Sequence, residues 1–113
     1  MKKIVIVEPN KKLPYKAVID GSLESMQNLV DGWIEVCRPP LHTDGAVIIC
    51  NEEGKIRHLR PNRKLHFEDG VLYDVICGTF FIINAPEDSD DFESLTDEQI
   101  QKYIEMYGAE RTM

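Results

Sequence analysis

The sequence predicts an α+β domain in which two helices cover a mostly antiparallel or mixed sheet of about five strands. Three observations carry this reading. The runs Ile4 to Val7 and Ala46 to Cys50 are apolar at every position, as strands covered on both faces require. Two segments, one after Ser22 and one after Thr96, place apolar residues at helical spacing behind a capping side chain. β-type segments lie both before and after the first of these helices, in the order β-β-α-β-β-loop-β-α.

The first strand is Ile4 to Val7, and Glu8 stops its apolar run too early for the core of a signal peptide. Pro9 to Pro14 has turn composition, so Tyr15 to Ile19 returns as the second arm of a hairpin. Ser22 caps a helix from about Leu23 to Asp31 with Leu23, Met26 and Val30 at helical spacing, and Gly32 is expected to supply the left-handed residue that ends it. Trp33 to Arg38 alternates as a strand until Pro39-Pro40 removes two backbone donors. Asn51 to Gly54 reads as a turn, and Lys55 to His66 shows neither period, so mostly loop is expected there, with a turn of helix after Pro61. After the turn at Asp69-Gly70, Val71 to Ile83 contains the most β-prone block, Val75 to Ile83, with a bulge or close backbone approach at Gly78. Thr96 and Gln99 form a capping box, Leu95 and Ile100 a hydrophobic staple, and Ile100, Tyr103, Ile104 and Tyr107 recur along one helix face until Gly108. The expected organisation is an α+β core over 1–84, a mobile acidic linker over 85–93, and a C-terminal helical segment over 94–113 packed on the same domain.

A chain of 113 residues with 42% apolar content has material for one core and not for two. Its longest apolar run is Ala46 to Cys50, far short of the roughly 20 residues a membrane-spanning helix needs, so a soluble protein is expected. Cys37, Cys50 and Cys77 are odd in number and far apart among apolar neighbours. They read as reduced structural thiols in a cytoplasm, with neither a disulfide framework nor metal-ligand spacing. Nucleophile elbow, zinc-protease, Walker and dinucleotide motifs are all absent, and Asp88 to Asp91 lacks the glycine and glutamate of a calcium loop, so no enzyme, cofactor or metal is expected.

Charge is the informative feature. The formal charge is −7, but residues 1–67 hold 11 basic and 8 acidic side chains while residues 68–113 hold 2 and 12. Lys55, Arg57, Arg60, Arg63 and Lys64 crowd into ten residues. Such cations are solvated, paired with carboxylates, or turned on an anion. The last alternative predicts an anion pocket built from Arg57, Arg60 and Arg63 with Asn51 and Asn62 beside them and Arg38 joining from the preceding strand, because guanidinium forks match phosphate bidentately. Duplex DNA is disfavoured by the net negative charge and the lack of a reading helix. The acidic 85–93 stretch is either a solubilising linker or a contact surface.

Ile34-Glu35-Val36 with Pro39-Pro40, Asn51 to Lys55 followed by Leu59 to Arg63, Asp74 to Phe81 with Gly78-Thr79, and Ser94 to Gln99 together resemble a family of small proteins of unknown function encoded by phages, plasmids and other mobile elements of bacteria. The resemblance covers nearly the whole chain. Its most specific part is the Asn51-Glu52-Glu53-Gly54 turn followed by Asn62-Arg63; the basic Arg57-His58 and Arg60 depart from it. The family carries no activity, but its context implies an accessory protein in the bacterial cytoplasm that occupies something belonging to the host. The leading expectation is therefore a non-catalytic protein that sequesters an anionic, nucleotide-like signal to evade host defence, with Trp33 or Tyr73 stacking on a base, as a homo-oligomer whose second copy completes a concave site. The alternative is a protein-interaction module or inhibitor of a host protein that uses the acidic C-terminal region.

Overall fold

The two unbroken apolar runs, joined by a third at Phe80 to Ile83, become the middle of an antiparallel sheet buried on both faces. The computed structural model describes residues 1–109, and the fold is α+β. The elements are β1 (Lys2–Val7), β2 (Tyr15–Ile19), α1 (Leu23–Val30), β3 (Ile34–Cys37), β4 (Ala46–Asn51), β5 (Pro61–His66), β6 (Leu72–Cys77), β7 (Phe80–Asn84) and α2 (Asp97–Ala109). Five strands form the main sheet in the order β2-β1-β7-β4-β3, and β5 and β6 form a separate two-stranded ribbon. All the strand pairs are antiparallel. Among the described residues no helix is long and apolar enough to cross a membrane.

Side chains alternate across the sheet. Ile4, Ile6, Val47, Ile49, Phe81 and Ile83 face α1, where Met26 and Val30 meet them. Val5, Val7, Ile48, Phe80 and Ile82 face α2 and the ribbon, where Leu65, Ile76, Tyr103 and Tyr107 close the second half of the core. Two-sided burial is why these strands are apolar at successive positions.

Both helices start as their sequences specify. Ser22 Oγ accepts from the backbone N–H of Ser25, and at α2 the reciprocal bonds of the capping box form, Thr96 N–H to Gln99 Oε1 at 2.9 Å and Gln99 N–H to Thr96 Oγ1 at 3.1 Å. Replacing Thr96 with Ala removes one of these and should cost about 1 kcal/mol in urea denaturation; an unchanged midpoint would show the cap to be idle. The helix ends differ from expectation. At α1 the left-handed residue is Asp31, with φ 62°, and its N–H returns to Gln27 O. At α2 the helix runs through Gly108 to Ala109, because the buried Gly108 lies against Leu13 and Pro14 and a Cβ there would come within 3.2 Å of Leu13. Residues 110–113 of the expected C-terminal segment lie outside the described residues.

Two further expectations are corrected. Pro61 to His66 is a strand and not a loop, since a register shift between Pro61 and Arg63 turns both Asn62 and Arg63 inward and erases the alternation that marks a strand in sequence. The stretch Val71 to Ile83, with its β-prone block Val75 to Ile83, is two strands in two sheets. Gly78, with φ 87°, makes the crossing, and a Cβ on it would stand 2.9 Å from Leu59 Cδ1.

Candidate functional site

Four of the six residues expected to line an anion pocket hold the fold together by binding backbone. Arg63 is fully buried. Its Nε donates to Tyr107 O at 2.9 Å, its Nη2 to the carbonyls of Lys11 and Lys12 at 2.8 and 2.9 Å, and its Nη1 to Asn62 Oδ1 at 2.8 Å. One guanidinium thus ties β5 to the β1–β2 turn and the end of α2. Asn62, also fully buried, donates from Nδ2 to Val7 O and Gly78 O, both at 2.9 Å, pinning the ribbon to the main sheet. Asn51 does the same at the end of α1: its Nδ2 reaches the carbonyls of Val30 and Asp31 at 3.0 Å while its Oδ1 accepts from the Glu53 N–H at 2.8 Å. Arg57 joins it there, with Nη1 on Asp31 O at 2.6 Å and Nη2 on the Asp31 carboxylate at 3.3 Å.

At the end of α1 these bonds, charge-assisted from Arg57 and neutral from Asn51, cap carbonyls that a helix end leaves unpaired. Gly32 is the space they need, since a Cβ there would come within 2.7 Å of Asn51 Nδ2 and 2.9 Å of Arg57 Nη1. Arg60 projects into solvent, and Arg38 stands at the far end of β3 in an open cleft with Asp90 and Asp91. The structure brings Asn51 to Arg57 and Asn62 to Arg63, and does not bring the four arginines to one place. The physical reason is that β5 is a strand: its bulge sends Arg63 into the core while Lys64, next in sequence, points outward.

The clefts that flank β3 carry more acid than base. On the α2 side, a cleft of about 270 Å³ opens between β3, β4 and β6, with Glu35, Glu52, Lys55 and Asp74 on its walls; Lys55 Nζ meets Asp74 at 2.5 Å. Cys50 and Cys77 line it too. Burial, then the carboxylates of Asp74 and Glu35, pushes the Cys37 thiol up to about 11; burial, then Glu35, pushes Cys50 up to about 12. Both stay protonated near neutrality and are poor nucleophiles. On the α1 side, a cleft of about 340 Å³ lies among Val36, Arg38, Pro86, Asp90, Asp91 and Phe92. A third open cleft, about 320 Å³, holds the exposed Trp33 with Gln27, Asn28 and Asp31.

A polar cluster that sequence inspection passed over joins the Leu41–Gly45 loop to α2. Its signal was the pair His42 and Asp44 opposite two tyrosines one helical turn apart. Ala46 O can only accept, so His42 Nδ1, 3.2 Å away, carries the proton, and Nε2 accepts from the Tyr107 hydroxyl at 2.7 Å. Burial holds this imidazole down near 4. Asp44 is raised by burial but lowered more by bonds from Tyr103, Ala46 N–H and Lys102, and it sits near 2. Tyr103, which donates to Asp44 at 2.6 Å, is pushed up by burial and then by that carboxylate. All three are driven away from pH 7, opposite to what acid–base catalysis wants. The sequence also gives no warning of the apolar side chains exposed around the ribbon turn, Phe67, Val71, Leu72 and Tyr73. Among the described residues no group of His, Cys, Asp and Glu is placed to hold a metal.

The 85–93 segment is fixed to the sheet at both ends. Ala85 N–H donates to Gly45 O at 3.0 Å, Asn84 and Glu93 exchange backbone bonds of 3.0 and 2.9 Å, and Phe92 packs against the α1-side core. Glu87, Asp88, Asp90, Asp91 and Glu93 are left exposed, and no ion pair among the described residues involves them.

No curated protein and no solved structure matches this chain. The comparisons indicate no catalytic family, and the family model that matches spans residues 1–108. The chain belongs to that family, the domain of unknown function DUF3846.

Proposed function

We propose that this domain is a non-catalytic protein-interaction module, an accessory protein of a mobile element that acts in the bacterial cytoplasm by presenting its acidic C-terminal half to a basic surface of a host protein. The observation that carries this reading is the 85–93 segment. Five exposed carboxylates that form no ion pair among the described residues repel one another, and bonds at Ala85, Asn84 and Glu93 tie both ends of their segment to the sheet. A charged surface shaped in advance loses less entropy on binding and attracts an oppositely charged partner over a Debye length of about 10 Å.

Affinity capture from host lysate should retain a stoichiometric partner at low salt and release it as salt is raised. The triple variant Asp88→Asn, Asp90→Asn, Asp91→Asn should lose that partner with its melting temperature kept. A partner held equally by the variant, or none at all, would refute the reading.

Sequestration of a nucleotide-like anion is a second reading, supported by the exposed Trp33 in a cleft with Gln27, Asn28 and Asp31, and by Arg57, which caps Asp31 next to it. Its test is thermal shift against cyclic and ADP-ribose-type nucleotides, since a bound ligand raises the midpoint by mass action. The informative variants are Trp33→Ala and Arg60→Glu, because charge reversal at the buried Arg63 unfolds the protein whatever it binds. A shift in wild type that Trp33→Ala abolishes favours this reading over the first.

A further inference from the structure

We propose that the outer edge of β3 is a docking strand that takes an extended, basic segment of a partner protein as a sixth strand of the main sheet. This rests on the reading of the domain as a protein-interaction module and names its contact. Among the described residues β3 is an edge strand that pairs only with β4. The phase of its backbone follows from one bond: Glu52 N–H donates to Trp33 O at 2.8 Å, and the register continues Ile34 with Asn51 and Glu35 with Cys50. In an antiparallel pair the bonded positions alternate, so Trp33, Glu35 and Cys37 turn their backbone groups toward β4, and Ile34 and Val36 turn theirs outward.

Natural edges are commonly blocked by lysine, proline or a covering element. The opposite edge, β2, carries Lys16, whereas Ile34 to Cys37 contains neither lysine nor proline. Its one charge is Glu35, which repels an acidic strand and admits a basic one.

The two sides of this edge agree on the occupant. A strand added beside β3 sends alternate side chains to opposite faces of the sheet. One set meets the α2-side cleft, with Glu35, Glu52 and Asp74, where Lys55 already places an ammonium on Asp74. The other set meets the α1-side cleft, where Val36 and Phe92 supply apolar contact and Asp90 and Asp91 outnumber the one cation, Arg38, so that apolar side chains suit this face and basic ones the α2-side cleft. Main-chain bonds along the edge provide affinity, and the two flanking clefts provide selection for basic and apolar side chains in alternation, as in other cases of strand addition.

The probe is a short peptide of alternating arginine and valine, titrated into the whole chain. Amide hydrogen exchange at Ile34 and Val36 should slow about tenfold or more at saturation, and the fluorescence of Trp33, the single tryptophan, should change with the same midpoint. The peptide N-methylated on alternate residues, in the phase that faces the edge, should not bind, nor should its glutamate–valine counterpart. Val36→Pro removes an outward N–H, and Glu35→Lys reverses the charge; each should weaken binding at least about tenfold while the melting temperature holds, with the N-methylated peptide as the control should either variant fail to fold. The proposal falls if protection appears at β2 or at the 67–73 turn, if the acidic or N-methylated peptide binds as well, or if Ile34 and Val36 become protected by concentrating the protein alone, which would make a second copy the occupant. If Val36→Pro still captures the lysate partner in a manner that depends on Asp88, Asp90 and Asp91, the edge is refuted and the interaction module stands. If capture never depends on those carboxylates, the module reading fails whatever the peptide does.

Discussion

Arg63→Met should destabilise the domain by about 3–5 kcal/mol, a large part of the stability of any domain of this size. The side chain is fully buried, and its guanidinium serves carbonyls of Lys11, Lys12 and Tyr107 and the Asn62 side chain. Methionine fills much of the volume and serves none of them, and each buried acceptor left unpaired costs about 1–3 kcal/mol. Arg63→Lys should be nearly as damaging, because one ammonium cannot span acceptors on three separate segments. Arg60→Met, at an exposed position, should change stability by less than about 0.5 kcal/mol. Urea denaturation of the three variants, with the slope checked for constancy, gives the ranking. An Arg63→Lys protein within about 1 kcal/mol of wild type would remove Arg63 from the centre of the fold.

Acidification between pH 6.5 and about 4 should weaken the domain through His42. Unfolded, this imidazole takes a proton near pH 6.5; folded, its burial against Ala46 and Tyr107 delays protonation to about pH 4. Across that window the unfolded state binds more protons, so stability falls as pH falls and levels off below the folded value. The full difference amounts to on the order of 3 kcal/mol, at about 1.4 kcal/mol per tenfold change in protonation. Asp44 acts lower: its folded carboxyl titrates near 2 against 3.8 ordinarily, so its contribution holds above pH 3.8 and is lost on descending toward 2. Stability profiles of wild type and His42→Phe separate the two. The variant should be flatter between 6.5 and 4, with the decline below pH 4 retained, and parallel profiles across the upper window would show that His42 is not held neutral by the fold.

The division between what could be read from residues and what could not follows a physical line. Local signals were reliable where a side chain acts on its own neighbours: the Ser22 cap, the Thr96–Gln99 box and the apolar central strands were all legible, because each is specified within a few residues. Gly32 and Gly108 misled, since a glycine near a helix end can instead be required by a close approach, of Arg57 and Asn51 in one case and Leu13 in the other. β5 was illegible because its inward positions are polar. Asn62 and Arg63 are satisfied by carbonyls from Val7, Lys11, Gly78 and Tyr107, and those acceptors arrive only when remote segments have already packed.

The same distinction governs the candidate site. Composition showed where the cations are in the chain, and this much is a property of sequence alone: a cluster between Lys55 and Lys64 and an acidic C-terminal half. Whether a cation faces an anion, a carbonyl or water depends on which way its strand is turned, and a bulge of one residue sent Arg63 inward while Lys64 remained outside. Likewise the residues of β3 are an ordinary alternating run until the sheet order leaves them at an edge between two acidic clefts. Residue chemistry sets what each group is able to bind; long-range strand pairing, which no local pattern encodes, decides which of those groups remain available.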